Sequence, residues 1–296
     1  RQMCIRDSDT TNSLMKDVGG NIRYYGASPN NYIYFNCSDY SNQSSSTCET
    51  WRIIGTFGNK TKLIRNSSIG EYSWDNKDTS TGAKSAYGKN DWTDARLMKL
   101  LNQGYESETT GGSLYYNSGS GNCYSGQNNA TTACDFTSTG IKNDTTRNMI
   151  SDNTYSLLGW NNNSIYSNQI YEYERSTGSV YTGTPTSWTG KVGLAYVSDY
   201  GYAADLSKCT KQLGSYNDST CASNNWMKAI ITNNSTNASG WLLTHYYGDS
   251  CDTWRTYWAG NAGYSGAYYA FEVTPVLYLK YRISINSGTG TSSDPY

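Results

Sequence analysis

The chain has 296 residues, a net charge of -1 and only 16% charged residues. That length can bury a substantial core, while the sparse, balanced charge and the lack of any long Lys/Arg cluster exclude a phosphate-tracking surface, so no nucleic-acid partner is expected. The hydrophobic fraction of 36% is low for a globular protein, but 29 Tyr and 9 Trp supply the bulk that aliphatic residues usually provide.

Residues 1–8 resemble translated sequencing-adapter DNA and are set aside, Cys4 with them. Residues 9–20 are expected to be a disordered or partial N-terminal segment, and residues 21–285 a single domain. Residues 286–296, rich in Ser, Gly and Thr, have the composition of a linker to a further C-terminal region. The longest apolar run, 273–281, is interrupted by Pro275 and Lys280 and is too short to span a bilayer. Contact with a membrane or wall is therefore expected only through missing terminal segments.

In chain order, residues 32–35 read as a strand and 51–65 as a hairpin turning at Gly58-Asn59-Lys60. Residues 93–102 read as a helix, with Thr93 as its cap, Asp94 at its positive end and Leu97, Met98, Leu100 and Leu101 as an apolar stripe. Shorter helices are expected over 144–152 and 167–175, and a strand over 191–197. Ser223 or Asn224 can cap a helix that carries Trp226, Met227, Ile230 and Ile231 on one face. Strand-like runs at 241–244, 253–258 and 268–279 follow, so the fold class is α+β.

Three cysteine pairs, Cys37/Cys48, Cys123/Cys134 and Cys209/Cys221, enclose ten or eleven residues each, rich in Ser, Asn, Thr, Gly and Tyr. Nothing in them has the Cys-x-x-Cys steps or paired His of a zinc site. They read as three local disulfides, which persist only in an oxidising compartment; reduced structural cysteines are the alternative. Without Cys4 the count is odd and Cys251 stays unpaired.

The Trp51-Arg52-Ile53-Ile54-Gly55 strand, the Leu97-Met98-Lys99-Leu100-Leu101-Asn102 helix, and the late pair Gly240-Trp241-Leu242-Leu243-Thr244 and Val273-Thr274-Pro275-Val276-Leu277 carry a resemblance. Together they resemble a group of Gram-positive gut-bacterial surface proteins whose domain is related to the C-type lectin-like, formylglycine-generating-enzyme-like fold. The resemblance implies a mixed domain with antiparallel strands, a few short helices and long surface loops. It does not extend to activity. Formylglycine-generating relatives use a reactive cysteine pair where Cys251 stands alone. C-type lectins hold calcium through Glu-Pro-Asn and Trp-Asn-Asp segments, where this chain has only Trp160-Asn161-Asn162 and no Glu-Pro.

Candidate chemistry is sparse. His245 is the single histidine, so a nucleophile-base pair has one possible base and Cys251 one possible thiol; a hydrogen-bonded structural His is the competing reading. Glu172, Glu174, Asp199 and Asp205 are the acids a glycosidase pair would draw on, against solvated loop and strand acids. Asp75-Asn76-Lys77-Asp78 has calcium-loop composition, but Lys77 sits at a ligand position and the terminal Glu is missing. That excludes an EF-hand and leaves a weak irregular calcium site open; no metal ligand is assigned and no cofactor is expected.

The aromatic crowd at 246–264 is the remaining candidate. Alternation places Trp254 and Trp258 on one face as core, and Tyr257 on the other. Tyr246, Tyr247, Tyr257 and Tyr264 are then an outward stacking platform for a glycan or a sticky patch for a protein. The expectation is a non-enzymatic binding or adhesion module, extracellular or on the cell surface, whose partner is a glycan or protein on a host or microbial surface. The alternatives are the head of a pilin-like or anchored structural subunit, and a secreted hydrolase.

Overall fold

The runs at 49–65 and 276–278 are apolar or long-stemmed on both sides, which suits a strand covered on both faces. In the computed structural model, which describes residues 8–75, 88–102, 114–123, 132–281, 285 and 287–296, they occupy the middle of the larger sheet. Ile53, Leu63 and Leu277 enter one hydrophobic core, while their chain neighbours Ile54, Ile64 and Val276 enter a second. The strand period of two thus divides the molecule into two cores flanking one sheet.

That sheet has eight antiparallel strands. Its order is Ser8–Asp9, Leu14–Lys16, Ile22–Tyr24, Glu49–Phe57, Lys60–Arg65, Val276–Tyr278 and Val192–Gly193, with Tyr32–Phe35 also paired to Glu49–Phe57. A bulge lies between Ile53 and Gly55. There Gly55 lets the Ile22–Tyr24 strand close in, because a Cβ on it would meet the Ile22 carbonyl at 2.2 Å. The second sheet runs Ala262–Gly266, Asp252–Thr256, Gly240–Trp241, Ala270–Glu272 and Glu71–Ser73. Short helices pack around both, among them Arg96–Leu101 and Trp226–Ile231. The architecture is α+β.

Several elements differ from expectation for identifiable reasons. Residues 9–20 are not a loose segment: Leu14–Lys16 pairs with Ile22–Tyr24, and Met15 is buried. Within 286–296, where residue 286 lies outside the described set, the chain is not a free linker. Tyr32 N–H donates to the Gly290 carbonyl, and Tyr296 exchanges backbone hydrogen bonds with Tyr32 and Tyr34, covering a strand edge that would otherwise be open. The helix at 93–102 begins only at Arg96, because Asp91 Oδ1 accepts from both the N–H and the hydroxyl of Thr93 and holds that stretch in a turn. At 191–197 only Val192–Gly193 is strand, and Val197 already opens the helix Val197–Tyr202.

All three disulfides are present: Cys37–Cys48, Cys123–Cys134 and Cys209–Cys221. Cys251 is free. All six bridged cysteines are buried. Cys123 and Cys134 belong to the first core and Cys209 and Cys221 to the second. The loop closed by Cys37–Cys48 is tied inward by Asn143, whose amide donates to the Cys37 carbonyl at 2.8 Å. Such bridges belong to an oxidising compartment. Among the described residues no helix is long and apolar enough to cross a membrane.

Candidate functional site

Gly159 fixes the geometry of the aromatic face. A Cβ there would meet the His245 carbonyl at 1.9 Å, so only glycine allows the backbones at 159 and 245 to touch. Trp160 N–H then donates to the His245 carbonyl at 3.2 Å, and Gly159 exchanges two hydrogen bonds with Ser179. Three distant segments meet at this point, and each contributes a ring.

Trp160 stacks on Tyr173 with centroids 3.9 Å apart and planes 17° from parallel, and Tyr247 meets Trp160 edge-on at 5.7 Å. Tyr246 stacks on Tyr264 at 3.9 Å and 22°. Beneath them Trp254 is fully buried, 6.1 Å from Tyr264, and its Nε1 donates to the Trp160 carbonyl at 3.0 Å. Tyr246, Tyr247, Tyr264, Trp160 and Tyr173 are each half-buried, with exposed Asn161 and Asn162 beside Trp160. Asn90 braces the face by donating to the Tyr246 carbonyl at 2.8 Å. The result is a set of pre-positioned ring surfaces with amides at the margin.

Of the four tyrosines proposed from sequence, Tyr246, Tyr247 and Tyr264 lie in this set and Tyr257 does not. Trp254 pairs with Tyr264 across the sheet, whereas Arg255 pairs with Gly263 and points to the opposite face. Tyr257 covers Gly263 and stacks at 3.5 Å under the Arg255 guanidinium, whose other neighbour is Phe271 at 4.6 Å. Trp258 is 51% exposed, not core, because the strand stops at Thr256 and a turn closed by Tyr257 and Asn261 ends the alternation. Sequence reasoning missed Trp160 and Tyr173 as ring contributors. In the sequence Trp160 only starts a Trp-Asn-Asn segment, and Tyr173 only falls within the short helix expected over 167–175.

His245 is 5% exposed, and its Nε2 accepts from Tyr181 N–H at 2.9 Å, which leaves the proton of the neutral ring on Nδ1. The lone pair that a general base needs is therefore occupied. Burial holds His245 down to about 4, and burial together with Asp249 pushes the Cys251 thiol up to about 11, so neither group is activated as a nucleophile-base pair.

The lowered His245 value has a sign that can be measured. Its unfolded value near 6.5 exceeds the folded one, so the unfolded chain binds more protons and stability is lost as pH falls from about 6.5 to 4. Urea denaturation of wild type and His245→Gln, whose amide carbonyl can still accept from Tyr181, isolates this. Between pH 7.5 and 4 wild type is expected to lose on the order of 3 kcal/mol more than the variant. Equal losses would refute the assignment. Asp252, raised to about 6 by burial and Asp249, works in the opposite direction in both proteins.

The acids are partly misplaced by the sequence reading. Glu172 is exposed, as a solvated acid is, whereas the Asp205 side chain is only 13% exposed and pairs with Lys208 at 3.2 Å. Glu174 and Asp199 are fully buried in separate hydrogen-bond sets. Glu174 Oε1 accepts from Ser198 N–H at 2.9 Å and Thr244 Oγ1 at 2.6 Å, and its other oxygen from Arg175. Asp199 accepts from Arg23, Lys62 and the Tyr196 N–H. Burial alone would raise Asp199, but Lys62, Arg23 and Arg175 together hold it far below the usual carboxylate range. These are core ion pairs and not a cleft pair of acid and base.

Asp249, Cys251 and Asp252 bring one ligand atom each within 4.8 Å of one another. Asp249 Oδ1 accepts from the N–H groups of Cys251 and Asp252, the pattern of a turn stabilised by its own carboxylate. Of the Asp75-Asn76-Lys77-Asp78 segment, only Asp75 lies within the described residues.

Comparison with known proteins finds no matching family model, no matching curated protein and no matching solved structure.

Proposed function

We propose that this chain is an extracellular surface-binding module on a C-type lectin-like frame, and that it takes a glycan on the face formed by Trp160, Tyr173, Tyr246, Tyr247 and Tyr264. One observation carries the reading: five half-buried rings are held at fixed angles around a backbone contact that only glycine permits. Sugar rings present C–H faces that pack on aromatic planes, and the marginal amides of Asn161 and Asn162 suit hydroxyl groups. Rings already stacked on one another lose little conformational freedom on binding, which favours recognition. The three buried disulfides support an oxidising location and a rigid scaffold.

A glycan and mucin array probed with recombinant residues 9–296, with and without chelator, tests the reading. The expected outcome is a restricted set of bound glycans sharing a terminal or repeating unit. An array blank throughout would overturn the glycan assignment and turn the search to a protein ligand.

A further inference from the structure

Glu71 and Glu272 stand directly opposite each other in adjacent antiparallel strands, a register in which two like charges repel. Glu272 is the unusual member. It is only 7% exposed, and among the described residues its Oε2 is buried without a hydrogen-bond partner and its Oε1 has one long contact, 3.4 Å from the Asn233 amide nitrogen. Among the described residues no Lys or Arg pairs with either acid. The neighbouring cation, Arg255, is committed to Ser265, Ser239 and the rings of Tyr257 and Phe271. A buried carboxylate oxygen with no proton donor and a second carboxylate at its rim is an arrangement that costs several kcal/mol unless a positive charge enters it.

We propose that Glu272, Glu71 and Asn233 form a binding site for a hard divalent cation, calcium by ligand type. Glu272 supplies the buried oxygen and Glu71, which is exposed, supplies the outer one. The Asn233 side chain, whose amide oxygen and nitrogen exchange places on a half-turn, supplies a neutral carbonyl. Water completes the shell. Two carboxylates cancel the ion's charge, and all-oxygen ligation with a flexible rim suits calcium better than magnesium, which demands a near-ideal octahedron, or zinc, which prefers nitrogen and sulfur. A partly solvated site of this kind falls in the weak range of extracellular calcium modules, with dissociation constants of about 0.1–1 mM. The ion would fasten the Glu71–Ser73 and Ala270–Glu272 strands to the turn that follows the helix Trp226–Ile231. This site is separate from the aromatic face and does not depend on the glycan reading.

Thermal unfolding of the whole chain at pH 7.5 in chelator, in 5 mM CaCl2 and in 5 mM MgCl2 tests it, on wild type, Glu272→Gln and Glu71→Gln. Calcium is expected to raise the wild-type midpoint by about 3 °C and magnesium by less. Glu272→Gln should lose the calcium response and, freed of the buried charge, melt higher than wild type in chelator. Glu71→Gln, altered at an exposed position, should fold normally and bind calcium at least fivefold more weakly by calorimetric titration. A wild-type midpoint indifferent to calcium, or a response unchanged in both variants, would overturn the proposal. The second of those results would send the ion to Asp249 and Asp252.

Discussion

Replacing Asp199 with asparagine is expected to lower stability by about 3–5 kcal/mol, because it leaves Arg23 and Lys62 buried with too little negative charge. The cost follows from what surrounds the group. Asp17, Arg23, Lys62 and Asp199 have side chains at most 1% exposed, with Arg23 2.5 Å from Asp17 and 2.6 Å from Asp199, and Lys62 in contact with the other Asp199 oxygen. Aromatic rings close off water: Phe57 at 4.6 Å and Tyr202 at 5.1 Å face Arg23, while Tyr196 at 4.7 Å and Tyr278 at 5.1 Å face Lys62. The network joins the Ile22–Tyr24 and Lys60–Arg65 strands to the helix Val197–Tyr202, so its loss loosens the second core against the sheet.

Chemical denaturation at pH 7 measures this, and Lys62→Met combined with Asp199→Asn should cost clearly less than the sum of the two single changes. A single-variant loss under about 1 kcal/mol would contradict a network whose removal strands two buried charges. The pH dependence has a definite sign. A depressed folded value means that Asp199 contributes fully above its unfolded value near 4, and that its contribution disappears only as pH falls below that toward the folded value.

Reduction of the three disulfides is expected to bring the domain to the edge of unfolding. Each bridge spans 11 or 12 residues of sequence, worth about 3 kcal/mol in the chain-entropy model, so three together approach the whole stability of an ordinary domain. Cys123–Cys134 and Cys209–Cys221 should matter more than Cys37–Cys48, because all four of their cysteines belong to the two hydrophobic cores, and reduction exposes that packing to rearrangement. A thermal scan with and without reductant measures the sum, and Cys209→Ala with Cys221→Ala measures the single bridge. A midpoint that moves by less than a degree on full reduction would show that the bridges are ornamental.

The hairpin at 51–65 was legible because its two strand-like runs and its Gly-Asn turn are local signals. The cysteine pairing was legible because each partner lies a dozen residues away. Where the deciding partner is distant, the reading failed. Asp199 resembles any loop acid until the Ile22–Tyr24 and Lys60–Arg65 strands bring Arg23 and Lys62 to it. Tyr257 fits an outward platform with Tyr264 until the strand ends at Thr256 and the Arg255 guanidinium claims its ring. Trp160 and Tyr173 are thirteen positions apart and show no shared period. They meet because Gly159 is pinned between Ser179 and His245. Local chemistry set the elements, while long-range backbone contacts decided which rings meet.

The placement of the proposed binding face is tested most directly by isothermal titration of the strongest array ligand against wild type, Trp160→Ala, Tyr247→Ala and Tyr257→Ala, each checked for an unchanged melting profile. Affinity should fall about tenfold or more in the first two variants, equivalent to at least 1.4 kcal/mol, and stay within twofold in Tyr257→Ala. Retained affinity in Trp160→Ala and Tyr247→Ala together with a loss in Tyr257→Ala would put the ligand on the Arg255 face and contradict the account.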